Sequence, residues 1–222
     1  MNKGTGEFLN LLTDFEDYLR TGYRSGRIFT PCDQNRTEQL ESIAREIKEC
    51  TRCDLSGQRN IPVPGEGAVD PLVMLIGEAP GAEEDRTGTP FVGKAGQYLD
   101  KWLSAVKLDR HKDCYIGNVV KCRPPGNRDP LPEETALCIP FLERQVDIIK
   151  PAVILTLGRI SSRILSGREE SLGALRGRTF SYRGVPVIPT YHPSGVLRNP
   201  EYRRPVWEDL QRLRSLLDDM ES

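Results

Sequence analysis

Histidine is scarce in this chain, with only His111 and His192 among 222 residues. Net charge is scarce too, at −1, so the overall balance does not mark out a polyanionic partner. The opening "MNKGTGEFLN" lacks the apolar stretch of a secretion signal, and no apolar run reaches the length that crosses a bilayer. A cytoplasmic protein without membrane contact is expected. Internal repeats and low-complexity tracts are also missing, which excludes solenoids and arrays. What remains, a chain with 37% hydrophobic residues, suits one ordinary core. The expected layout is an N-terminal helix and linker over 1–36, followed by one domain over 37–222.

Six cysteines in a reducing compartment read as metal ligation or packing rather than as a disulfide framework. Charge, though balanced overall, is unevenly placed. From Arg159 to Arg204 there are nine arginines, no lysine and three acids, a face that can meet phosphate as well as solvent.

Helical spacing of Phe8, Leu11, Leu12, Phe15 and Leu19 predicts a helix over 7–23, and Leu40, Ile43, Ala44 and Ile47 predict a second that ends at Cys50. Four short apolar runs follow: "LVMLI" (72–76), "YIGNVV" (115–120), "AVILTLG" (152–158) and "VPVIPTY" (185–191). Helical stretches fall between them at 95–108, 133–149 and 161–175, the third interrupted by Gly167 and Gly173, and a last helix, "VWEDLQRLRSLLDDM", closes the chain. This alternation predicts a largely parallel sheet of four strands with helices on both faces. Ligands of such sheets bind at the C-terminal strand edge. That edge is where "GEAPG", "NVVKC" and "TYHPSG" fall.

Cys50 and Cys53 form a C-x2-C pair, while Cys122 and Cys138 form a wider one. Four thiolates drawn from these places fit a structural zinc or an iron–sulfur cluster, and the wide second pair leans toward the cluster. Cys32 and Cys114 have no matching partners and read as spare thiols or packing residues. His192 leaves a strand at the binding edge, whereas His111 lies in a polar segment. Asn118 stands in a β run, where a buried amide is costly unless paired with a structural group or a ligand. Phe91 sits in the long glycine-rich stretch "GEAPGAEEDRTGTPFVGKAG", placed to plug a core or to stack on a planar ligand.

Three segments in order, "GEAPGAEEDRTGTPFVGKAG", "NVVKCRPPGNRDP" and "TYHPSGVLRNP", together with the four cysteines, resemble the family-four uracil-DNA glycosylases, the iron–sulfur branch of their superfamily. The resemblance covers about Glu49 to Pro200. It implies an α/β/α three-layer sandwich and a 4Fe-4S cluster held by Cys50, Cys53, Cys122 and Cys138. It also implies a monomer that acts on uracil-containing DNA, flipping the base into a pocket of Glu78, Glu84, Phe91, Asn118 and His192. Phe91 would stack on the ring, and Asn118 would read O4 and N3–H. Glu84 would stand where thymine carries its methyl, and His192 would stabilise charge on O2.

The first loop offers no aspartate as base, so Glu78 or Asn127 is expected to place the water. Val196 or Leu197 would wedge into the gap left by the flipped base, and Arg198 would meet phosphate. A non-catalytic nucleic-acid-binding protein of the same fold is the alternative.

Overall fold

The computed structural model describes residues 34–221, so the helix expected over 7–23 and Cys32 lie outside the described residues. Among the described residues no helix is long and apolar enough to cross a membrane. Helix α1 (Gln34–Lys48) leads to a two-residue strand β1 (Glu66–Gly67) and then to β2 (Val73–Gly77), every residue of which is buried. Helices α2 (Ala82–Thr87) and α3 (Lys94–Ala105) follow, then β3 (Cys114–Asn118), α4 (Pro132–Ile149) and β4 (Val153–Leu157). The chain continues through α5 (Arg159–Ser166), α6 (Leu172–Leu175), β5 (Phe180–Tyr182) and β6 (Val185–Thr190). It ends with α7 (Pro193–Arg198) and α8 (Arg203–Glu221).

The sheet runs β1-β3-β2-β4-β6-β5. Its inner four strands are parallel and are the four expected from the apolar runs. Burial on both faces explains why they read as continuous hydrophobic stretches instead of alternating ones. Successive side chains still point to opposite faces. Val73 and Leu75 join the core formed with Leu99 and Leu103 of α3 and Leu210 and Leu213 of α8. Met74 and Ile76 join the opposite core with Ile43 and Ile47 of α1 and Phe141 and Leu142 of α4. The result is a three-layer α/β/α sandwich.

Four features depart from the expectation. The sheet has six strands and not four, because β1 and β5 add antiparallel edges that are too short to show periodicity. The β5–β6 hairpin is closed by Arg183 and Gly184, both with positive φ (51° and 81°), the conformation that matches the twist of paired strands. The stretch 161–175 is divided as expected at Gly167, which caps α5 in the left-handed region at φ 65°, but Gly173 lies within α6 and does not interrupt it. Two segments read as loops also carry helices. Glu83, Glu84 and Asp85 occupy the first turn of α2, where the helix dipole favours carboxylates, and Pro193 opens α7.

Candidate active site and cysteine corner

Residues from the C-terminal ends of all four parallel strands meet around a cleft of about 450 Å³, lined among others by Glu78, Phe91, Asn118, Asn127, Gly158 and His192. Glu78 follows β2, Asn118 is the last residue of β3, Gly158 follows β4, and His192 follows β6. The sheet therefore brings together residues far apart in sequence, as open parallel sheets do.

Phe91 is held in a sparsely populated conformation, φ 52°, and two glycines make room for it. A Cβ on Gly77 would stand 2.8 Å from the Phe91 ring and 2.3 Å from Asn118 Oδ1, and a Cβ on Gly96 would stand 1.7 Å from the Phe91 carbonyl. Glu84 completes the brace. Its Oε1 accepts from the backbone N–H groups of Val92 at 2.9 Å and Gly93 at 3.0 Å. The ring ends 5.5 Å from the His192 ring, centroid to centroid.

His192 caps α7. Its Nδ1 accepts from the backbone N–H of Ser194 at 3.1 Å and lies 2.8 Å from Ser194 Oγ. With Nδ1 occupied as an acceptor, the neutral ring carries its proton on Nε2. Burial, with help from Arg198, pulls the imidazole down to about 4, so the ring is neutral at physiological pH and Nε2–H is a donor. Asn118 is 1% exposed, and its Oδ1 is buried with no hydrogen-bond partner among the described residues. An orphaned buried acceptor costs about 1–3 kcal/mol. Within a cleft, that is the mark of a group kept for a ligand.

Glu78 lines the same cleft, and burial, reinforced by Asp129, pushes its carboxyl up to about 7. Asp129 pairs with Arg159 at 2.5 Å. Asn127 also lines the cleft, but its Oδ1 is taken by Arg123 Nε at 2.8 Å. Neither the Asp129–Arg159 pair nor the bond that sets the His192 tautomer was foreseen. The hint for the latter was a serine two residues beyond the histidine, at the start of a helix.

Val196 is fully buried in the core, while Leu197 is 46% exposed. The helical path of α7 is the reason: neighbours on a helix face different ways, so one packs inward and the next outward. This corrects the expectation that either could reach DNA, and leaves Leu197. Arg198 is exposed and lines the cleft. His111 is exposed. Cys114 is buried in β3, its thiol pushed up to about 12 by burial.

The four candidate ligand cysteines line a single separate cavity. Cys122 and Cys138 are buried, Cys50 and Cys53 half-buried. Burial pushes the Cys138 thiol up to about 11, so thiolates there need a cation among them. Hydrogen-bond donors already face two of the sulfurs. Arg59 Nη1 lies 3.0 Å from Cys122 Sγ, and the Lys121 backbone N–H lies 3.3 Å from Cys138 Sγ. Among the described residues no three histidine, cysteine, aspartate or glutamate side chains are gathered so as to hold one metal ion.

The family model of the uracil DNA glycosylase superfamily matches residues 64–211, a span that contains every strand end of the cleft. The chain belongs to this superfamily. Within it, the chain falls with the type-4 uracil-DNA glycosylases. It is 45% identical over 186 residues to the type-4 uracil-DNA glycosylase of Thermotoga maritima, an overlap of 82% of this chain and 96% of that one. It is 45% identical over 179 residues to the type-4 enzyme of Pyrobaculum aerophilum, covering 77% and 91% of the two chains. A type-5 uracil-DNA glycosylase of Pyrobaculum aerophilum is 31% identical over 175 residues, 72% of this chain and 77% of that one.

Proposed function

We propose that this protein removes uracil from DNA by hydrolysing the N-glycosidic bond of a flipped deoxyuridine, in base excision repair, with the cleft residues in the following roles. The observation that carries the assignment is the orphaned, buried Oδ1 of Asn118, which with the Phe91 ring crowds against Gly77. Uracil offers what that oxygen lacks: N3–H donates to it, while O4 accepts from the Asn118 amide nitrogen. Cytosine has an acceptor at N3 and a donor at position 4, so both contacts fail. Phe91 stacks on the ring. Glu84, fixed by the Val92 and Gly93 N–H groups, closes the side where thymine carries its methyl.

As the C1′–N1 bond breaks, its electron pair passes to the uracil ring and spreads to O2. His192, neutral and with its proton on Nε2, donates to O2. A donor aimed at developing charge in a dry site contributes about 10²–10³ in rate. The sugar becomes oxocarbenium-like and takes a water molecule at C1′. Glu78 is the better of the two candidates to orient that water and receive its proton, because Asn127 Oδ1 is occupied by Arg123. Leu197 fills the gap left by the flipped base, and Arg198 meets phosphate.

The four cysteines, one tight pair and one wide pair that line a shared cavity, suit a 4Fe-4S cluster better than a zinc site built from two tight pairs. Cys50, Cys53, Cys122 and Cys138 would hold it. The cluster would join α1, β3 and α4 and supply structural order beside the cleft. In this reading the protein works as a cytoplasmic monomer on uracil-containing DNA. The test is incubation of purified protein with an oligonucleotide that contains one uracil. Release of free uracil and an alkali-labile abasic site are expected; binding without release would leave a non-catalytic DNA-binding protein.

A further inference from the structure

Lys121 lies between the cleft and the cysteine corner and is 1% exposed. Its ammonium donates to the backbone carbonyl of Asn118 at 2.8 Å and to Gln145 Oε1 at 2.7 Å. Gln145 is pinned in turn, its Nε2 donating to the Pro64 carbonyl at 2.8 Å and to Tyr115 Oη at 3.1 Å. Both acceptors of the ammonium are neutral oxygens. Burying a cation on such partners is costly, and a methionine of similar reach would fill the space without that cost. The ammonium instead holds two neutral oxygens in place.

What it holds is the end of β3. Beyond the last parallel pair, Gly77 with Asn118, the backbone still clings to the neighbouring loop through Val119 N–H to the Gly77 carbonyl and Val120 N–H to the Glu78 carbonyl. The Asn118 carbonyl is anchored by Lys121. The backbone N–H of the same lysine meets Cys138 Sγ, and its side chain lines the cysteine cavity. One residue thus touches the base-reading asparagine with its side chain and a candidate ligand with its backbone. If the Asn118 peptide rotated, its side-chain amide would swing away from the position that reads N3–H and O4.

We propose that Lys121 is a positioning residue whose ammonium fixes Asn118 for uracil recognition. The inference rests on the reading of Asn118 given above, and a double-mutant cycle separates the two. The dissociation constant of free uracil is measured by calorimetry on iron-loaded protein for wild type, Lys121→Met, Asn118→Ala and the double variant. Lys121→Met is expected to weaken uracil binding about tenfold, equivalent to about 1.4 kcal/mol, with iron per chain unchanged. In the Asn118→Ala background the same change should weaken binding less than about twofold, because a residue acting through Asn118 has nothing left to position.

Wild-type affinity in Lys121→Met, an equal loss in both backgrounds, or loss of iron together with affinity would each overturn the proposal. Unchanged affinity in Asn118→Ala would instead remove the reading of Asn118 itself. Should Lys121→Met fail to fold, Gln145→Leu replaces it in the same cycle. This variant keeps the lysine but frees its ammonium from one anchor, and a loss of about threefold confined to the Asn118 background is expected. No loss, or the same loss in both backgrounds, would overturn the proposal.

Discussion

The cleft and the cysteine corner share one strand end, at Asn118 and Cys122, yet they are stabilised in opposite ways. In the cleft, several key groups are fixed by partners within the protein. Ser194 sets the His192 tautomer, Glu84 holds the backbone that follows Phe91, and a single oxygen of Asn118 is left over. In the corner, two buried and two half-buried thiols line a cavity, and burial raises the pKa of both buried ones. The cleft is organised before its ligand arrives, which is what catalysis by fixed dipoles requires. On the proposed reading the corner gains further order from a bound cluster, because ligation would turn costly buried thiols into ligands. One site would then serve turnover and the other would hold a resident group.

Substitutions should therefore fail differently in the two regions. His192→Ala is expected to lower kcat by about 10²–10³ while DNA affinity and iron content stay near wild type, since the lost bond strengthens only in the transition state, and the melting temperature falls by only a few degrees for the lost α7 cap. Single-turnover cleavage alongside DNA-binding titration checks this. Cys138→Ser is expected to act on the fold. Iron is lost, and removal of about 4 kcal/mol of binding-linked stability lowers the melting temperature by about 8–16 °C. Iron analysis and calorimetry check it. If Cys138→Ser kept both iron and melting temperature, the contrast between the regions would collapse.

A pH profile sharpens the comparison within the cleft. Glu78 is held up at about 7 and His192 down at about 4, so as pH falls from 7 toward 4 Glu78 loses its charge while His192 stays neutral. In the role proposed for Glu78, water placement needs the carboxylate. The rate should fall about tenfold per pH unit below about 7 and level off above it, and Glu78→Gln should be slower and flat over that range. The stability effect has the opposite sense. A carboxyl whose folded value is raised contributes stability at low pH that is lost as pH rises through about 7. Thermal melts of the two proteins from pH 5 to 8 should therefore converge toward the acid end.

The parts legible in the sequence were those whose signal is local. The four inner strands showed as β-branched runs such as Val153–Leu157, and the four cysteines showed by spacing. The edge strands did not, because Glu66–Gly67 and Phe180–Tyr182 take their pairing from neighbours and not from their own pattern. Val196 and Leu197 could not be told apart while the segment was read as a loop, because only a helix decides which one faces inward. Lys121 was invisible for a related reason. Lysine is a surface residue by default, and its burial follows from Gln145 and Asn118, residues that only the folded sheet brings to it.

The central claim is that Asn118 reads uracil through an acceptor for N3–H and a donor for O4. Replacing it with aspartate preserves shape, removes the donor and sets an oxygen against O4, leaving unpaired acceptors at about 1–3 kcal/mol each. The decisive measurement is excision of uracil and of cytosine by Asn118→Asp from matched oligonucleotides. Uracil excision should fall about 10–100-fold, while cytosine, whose amino group a carboxylate accepts, gains a small but measurable rate. Uracil excision at the wild-type rate would contradict the account, because the cleft would then recognise its base without Asn118.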